Sequence, residues 1–175
     1  MPSETRYSLW LVPGGAVDGD LQAVVDRLAR EHGGPTFPPH VTLFGGIVGP
    51  EDDVVARSRG LAAQIAPFTV YLDDVDVGET YFQSLFATAR PTPELLAARE
   101  AAQQAFSDVT AEPYRPHLSL LYGDLPAETK RAILDRLRGT LPPSFEAQTL
   151  VLVRTGGSVA DWRYPLRAPF SRRPG

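Results

Sequence analysis

Two of the three histidines in this 175-residue chain sit in one pattern, Pro-His-[Val/Leu]-[Thr/Ser]-Leu: His40 leads into Val41-Thr42-Leu43, and His117 into Leu118-Ser119-Leu120. Composition alone gives that arrangement about 3 chances in 10,000 of arising around any one histidine, so coincidence is a poor explanation. In an extended strand, alternate side chains share a face. His40 therefore points with Thr42, and His117 with Ser119. Each imidazole stands beside a hydroxyl, backed by apolar residues on the opposite face. Two such pairs suit in-line displacement at phosphorus. A neutral imidazole takes a proton from attacking water, an imidazolium returns one to the leaving oxygen, and hydroxyls bond the non-bridging oxygens as charge builds. Histidine's ordinary pKa of about 6.5 offers both protonation states near neutrality. A cyclic phosphodiester is a fitting target, because its strained ring needs little leaving-group activation. The near-symmetric motifs leave open which histidine is the base.

Other chemistries find less support. With no cysteine, thiolate nucleophiles, disulfides and cysteine-based zinc sites drop out. A zinc site on two histidines is disfavoured because catalytic zinc usually takes three protein ligands. Asp73, Asp74 and Asp76 read as a solvated strand edge or turn, and no glycine-rich phosphate loop follows a strand. No metal or cofactor is expected. Seventeen basic against twenty-one acidic residues give a net charge of −4, which argues against long nucleic acid and leaves room for a small anionic ligand. The one basic concentration is Arg154, Arg163, Arg167, Arg172 and Arg173, toward the C-terminus. Arg115, just before the second motif, could assist with phosphate, an exposed arginine being the simpler reading. His32 reads as a helix-terminal residue favoured by the dipole. Neither a signal peptide nor an apolar run of membrane-spanning length is evident, so the chain reads as cytoplasmic with no membrane association and no obligate protein partner.

Hydrophobic patterning supplies the elements that must position the motifs. Tyr7 to Val12 predicts a strand, in which Tyr7 and Trp10 fall on opposite faces, so one of them belongs to the core. Asp18 to His32, Glu51 to Ala66, Pro93 to Phe106 and Ala127 to Arg138 predict helices. Strands are expected at His40 to Phe44, closed by Gly45-Gly46, and at Phe68 to Val77 and Tyr81 to Ala89. Further strands are expected at His117 to Tyr122, Phe145 to Arg154 and Trp162 to Leu166, followed by a frayed tail, Ser171 to Gly175. Set against itself at an offset of 77, the chain repeats: His40 falls on His117, Gly46 on Gly123 and Phe68 on Phe145. The expected architecture is α+β: a single domain over residues 1–175, duplicated as about 37–90 and 114–170. Its two similar lobes carry antiparallel sheets and flanking helices, related by a pseudo-twofold axis with the cleft between them.

The paired His-x-[Thr/Ser] motifs in duplicated lobes resemble the 2H phosphoesterase superfamily, of LigT-like fold, and within it the plant- and yeast-type cyclic phosphodiesterases. Tyr7-Ser8-Leu9-Trp10, Gly33-Gly34-Pro35, Tyr81-Phe82-Gln83-Ser84 and Pro116-His117-Leu118-Ser119-Leu120-Leu121-Tyr122 carry the likeness. The resemblance implies metal-independent opening of nucleoside 2′,3′-cyclic phosphates to 2′-phosphates and of ADP-ribose 1″,2″-cyclic phosphate. It makes His40 and His117 the acid–base pair and Thr42 and Ser119 the phosphate ligands. Tyr122, Trp10 and Phe82 become pocket residues, although Ser84-Leu85-Phe86 departs from the family's usual continuation. The expected partner is a small cyclic-phosphate nucleotide. Alternatives are an RNA 2′,3′-cyclic phosphodiesterase of the 2′-5′ ligase-like type acting on RNA ends, and a non-catalytic nucleotide-binding module.

Overall fold

The computed structural model describes residues 4–171. Of the tail expected to fray, only Ser171 falls within them. In chain order the elements are β1 (Arg6–Leu11), α1 (Gly15–His32), β2 (Val41–Val48), α2 (Glu51–Ala62) and β3 (Phe68–Val77). After a 3-10 turn at Tyr81–Gln83 come β4 (Leu85–Ala89), α3 (Pro93–Ala105), β5 (His117–Leu121), α4 (Ala127–Leu137), β6 (Ser144–Ala147) and β7 (Thr149–Thr155). A second 3-10 turn, Val159–Asp161, precedes β8 (Arg163–Pro169). The strands run in the order β6-β3-β4-β5-β2-β1-β7-β8 with antiparallel neighbours, an α+β architecture.

Adding 77 to the bounds of β1, α1, β2 and α2 lands on β4, α3, β5 and α4, and the first 3-10 turn lands on the second. The packing repeats too: α1 lies against β5, and α3 against β2. The halves meet where β2 and β5 register at Val41 opposite Leu118. Antiparallel pairing carried one residue to either side of that pair sets His40 across from Ser119 and Thr42 across from His117. A local twofold through Val41 and Leu118 thus sets the four motif side chains in a square on one face. On the other face Val41, Leu43, Leu118 and Leu120 are sealed in the main core. Each motif strand is pinned by the burial of its apolar alternates, worth about 2 kcal/mol per side chain.

Several boundaries differ from expectation. Tyr81 to Ala89 is a 3-10 turn followed by a strand. Lys130 Nζ donates to the Gly78 carbonyl at 2.7 Å, and Gly78 sits so close to Gln83 that a Cβ there would meet its carbonyl oxygen at 2.1 Å, so the chain coils before it extends. Phe145 to Arg154 is two strands: β6 pairs with β3 and β7 with β1, the switch falling at Gln148. Gly45-Gly46 does not close its strand. From Tyr7 to Leu9 the partners move from Ile47 to Phe44, an extra residue on β2, and Gly46 takes a left-handed φ of 72° that only glycine accepts easily. α1 starts earlier than expected, at Gly15, and α2 stops at Ala62 rather than Ala66. β8 runs on to Pro169, and α3 begins with Pro93 behind the Thr92 cap. His32 ends α1 in its last turn, ahead of Gly33. Tyr7 packs in the main core and Trp10 in a separate cluster on the other side of β1. No helix among the described residues is long and apolar enough to cross a membrane.

Candidate active site

The two motif histidines are held the same way. His40 Nδ1 donates to the carbonyl of Pro38 and His117 Nδ1 to that of Arg115, each two residues upstream and each at 2.8 Å. A ring whose Nδ1 carries the hydrogen presents Nε2 as its working nitrogen, so the backbone selects the tautomer in both halves. Both rings line one cleft of about 430 Å³, a size suited to a nucleotide-scale ligand.

Their surroundings then diverge. His40 is 6% exposed and lies flat on Trp10, with ring centroids 3.4 Å apart and planes 5° from parallel. Burial pushes its pKa down from 6.5 to about 4, against the Pro38 hydrogen bond and with a further push from His117. His40 is therefore a neutral imidazole at physiological pH. His117 is only half-buried, and Gln83 Nε2 stands 3.1 Å from its Nε2. The same amide nitrogen lies 3.3 Å from Nδ1, so it sits over the ring face between the two nitrogens.

Thr42 and Ser119 both line the cleft. Ser119 Oγ donates to the Phe82 carbonyl at 3.1 Å, while the Thr42 hydroxyl has no protein partner among the described residues. Tyr122 also lines the cleft, buried and stacked on Phe37 at 3.8 Å; burial raises its phenol above the usual range, leaving a neutral hydroxyl. Phe82 stands at the mouth, 53% exposed and edge-on to Tyr122. Trp10 lines the cleft as well, 2% exposed and covered on one face by the His40 ring. His40, His117, Thr42, Ser119, Tyr122, Trp10 and Phe82 thus line this one cleft, and Arg115 does not. The Asp73–Asp76 stretch lies elsewhere, Asp73 pairing with Arg90, and no cluster of three metal-binding side chains occurs among the described residues.

Sequence reasoning missed Gln83 and Trp162. The 77-residue offset sets Gln83 against Ala160 and Trp162 against Leu85, so the repeat could flag neither. Trp162 closes one wall, edge-on to Trp10 at 5.5 Å and to Tyr122 at 6.3 Å.

Comparison with known proteins gives the family and the fold. Residues 13–158 match the model of the 2′-5′ RNA ligase superfamily. A cyclic phosphodiesterase of Arabidopsis thaliana is 32% identical over 125 residues, 71% of this chain and 69% of that protein. A 2′,3′-cyclic-nucleotide 3′-phosphodiesterase of Yarrowia lipolytica is 28% identical, covering 72% of this chain and 80% of its own. In fold, the crystal structure of apo E. coli LigT aligns with a TM-score of 0.61 at 20% identity, over 97% of this chain and all of that one. The TT0787 protein of Thermus thermophilus aligns at 0.65 and 19% identity, over 94% and 97%. The two histidine strands, their shared cleft and these likenesses lead to one conclusion: the chain belongs to the 2′-5′ RNA ligase superfamily, the 2H phosphoesterases.

Proposed function

We propose that the protein hydrolyses small cyclic phosphates, opening nucleoside 2′,3′-cyclic phosphates to 2′-phosphates by acid–base catalysis between His40 and His117. The observation that carries this reading is the pair of Nδ1-anchored imidazoles on one cleft, one sealed and neutral, the other more open. The names of the Arabidopsis and Yarrowia relatives support the reaction class.

In this reading His40 is the base. Its neutral Nε2 takes a proton from a water attacking the phosphorus opposite the 3′ oxygen. The P–O3′ bond breaks as the new P–O bond forms, and protonated His117 gives its Nε2 hydrogen to O3′. The products are a 2′-phosphate and a free 3′ hydroxyl, with the proton now on His40. Thr42 and Ser119 bond the non-bridging oxygens. Ser119 turns from the Phe82 carbonyl to do so, which couples phosphate binding to the turn carrying Phe82 and Gln83. The proton that His117 gives up is matched by the one His40 takes, so the net charge of the site is unchanged across the step.

The test is turnover of 2′,3′-cyclic AMP with EDTA present, products resolved by phosphorus NMR. Wild type is expected to give only the 2′-phosphate, and His40→Ala and His117→Ala each to lose about 100-fold or more in kcat. Activity that survives the loss of either ring, or a 3′-phosphate product, overturns the reading.

A further inference from the structure

A second cavity, of about 580 Å³, adjoins the cleft. The two share Thr42, Gly45, Gly46, Gln83 and His117, so they meet at one hydroxyl and one imidazole of the motifs. Their remaining walls differ in chemistry. The first continues over aromatic rings, Trp10, Phe82, Tyr122 and Trp162, whereas the second is bounded by Arg6, Arg99 and Arg115.

Arg99 is only 8% exposed, its guanidinium held between the rings of Phe44 and Tyr114 at 4.6 Å from each centroid. Nη1 donates to the Leu43 carbonyl at 2.8 Å and Nη2 to the Glu112 carbonyl at 3.1 Å, while Nε is buried without a partner. Carbonyls satisfy hydrogens but do not cancel a charge. No carboxylate pairs with Arg6, Arg99 or Arg115 among the described residues. Glu112, the acidic residue on this wall, is exposed and offers Arg99 only its main chain. A buried cation is costly unless something negative faces it. Here two further arginines, on β1 and just ahead of β5, stand around the same cavity and add to its positive field.

We propose that this cavity binds a phosphate on the 5′ carbon of the substrate's ribose, so that the preferred substrates are 2′,3′-cyclic nucleotides bearing a terminal 5′-phosphate. The inference rests on the reading of the cleft as a cyclic phosphodiesterase site. With the cyclic phosphate between the histidines, the ribose has two substituents left to place. The base takes the aromatic wall, where stacking is available. The 5′ carbon is then directed past Thr42 and His117 to the arginines, whose guanidinium groups are suited to a terminal phosphate dianion.

Two measurements decide it. The first compares kcat/KM for 2′,3′-cyclic AMP, its 5′-phosphorylated form and a dinucleotide ending in the cyclic phosphate, in wild type and in the Arg6→Gln/Arg115→Gln double variant. The second titrates 2′-AMP against adenosine 2′,5′-bisphosphate by calorimetry, which needs no turnover. Both replaced side chains are exposed, so the variant is expected to fold, and its denaturant midpoint checks this. Wild type is expected to favour the 5′-phosphorylated ligand about tenfold in both measurements, an advantage that shrinks with salt and falls to near unity in the variant. Equal preference in wild type, or a preference that survives in the variant, overturns the proposal. A dinucleotide that matches or exceeds the 5′-phosphorylated mononucleotide overturns it in favour of an RNA end. Should no cyclic phosphate be turned over, the hydrolase reading falls by itself. The titration then still judges the cavity: a bisphosphate advantage supports it and none overturns it.

Discussion

At the scale of single residues, the asymmetry between two histidines drawn from the same motif carries the consequences. Burial holds His40 neutral down to about pH 4. With His40 as base, kcat/KM rises through a limb near pH 4. Replacing Trp10 by Ala opens the face on which the ring lies and lets water reach it. That limb is then expected to move up toward the ordinary value of about 6.5, read from the pH–rate profile. The same burial bears on stability. A histidine whose folded pKa is depressed leaves the unfolded chain binding more protons, so its contribution is complete above about pH 6.5 and is lost as pH falls toward 4. Between pH 7 and 4.5, wild type is expected to lose about 2 kcal/mol more than His40→Gln by denaturant unfolding. Equal losses would count against a neutral, sealed His40.

At the scale of elements, the turn between β3 and β4 governs His117. Lys130, the one lysine of the chain, reaches from α4 to the Gly78 carbonyl, and Gly78 makes room for the main chain of Gln83, whose amide stands over His117. Ser119 is tied to the same turn through the Phe82 carbonyl. A Cβ at Gly78 would press on the Gln83 carbonyl, so Gly78→Ala is expected to displace Gln83 and Phe82 while leaving the sheet intact. The readout is a fall of about tenfold or more in kcat with little change in the far-ultraviolet spectrum. Lys130→Met is expected to act in the same direction more weakly, since it removes one charge-assisted hydrogen bond and keeps the packing. Neither role was legible beforehand. A lone lysine in an arginine-rich chain looks like a quirk of composition, and nothing in the order of residues tells that α4 will pass beside Gly78.

At the scale of the whole molecule, the cleft depends on the seam where β2 meets β5. Val41 and Leu118 are its registered pair and are fully buried, so Leu118→Ala leaves a void at the join of the halves. It is expected to cost about 3 kcal/mol in chemical unfolding. It is also expected to lower kcat in the surviving folded protein, because the four motif side chains take their mutual distance from this register. A comparable leucine truncation in α2, Leu61→Ala, leaves kcat near wild type if the seam carries the effect. The interlocking of the halves explains why the duplication reaches further in the structure than in the sequence motif. β1 flanks β2 as β4 flanks β5, so the half β2-β1-β7-β8 joins the first two strands of the chain to the last two, and β6-β3-β4-β5 holds the middle four.

The sequence by itself determined the local alternation that puts each imidazole beside a hydroxyl, the 77-residue duplication, and the four helices to within a few residues at most ends. Period, capping and apolar faces are properties of neighbours in the chain, and neighbours are visible there. Three things were decided only by the tertiary structure. The split of residues 145–154 into two strands and the coiling at Tyr81–Gln83 arise from partners far away in sequence, chosen by pairing and by one close glycine contact. The partnership of Gln83 and Trp162 with the motifs follows from where turns come to rest. Most of all, the distinction between two histidines with matching motifs lies in solvation: Trp10 and the core around it remove water from His40, while His117 stays more open. Desolvation is set by everything that surrounds a group, and no pattern of adjacent residues encodes it.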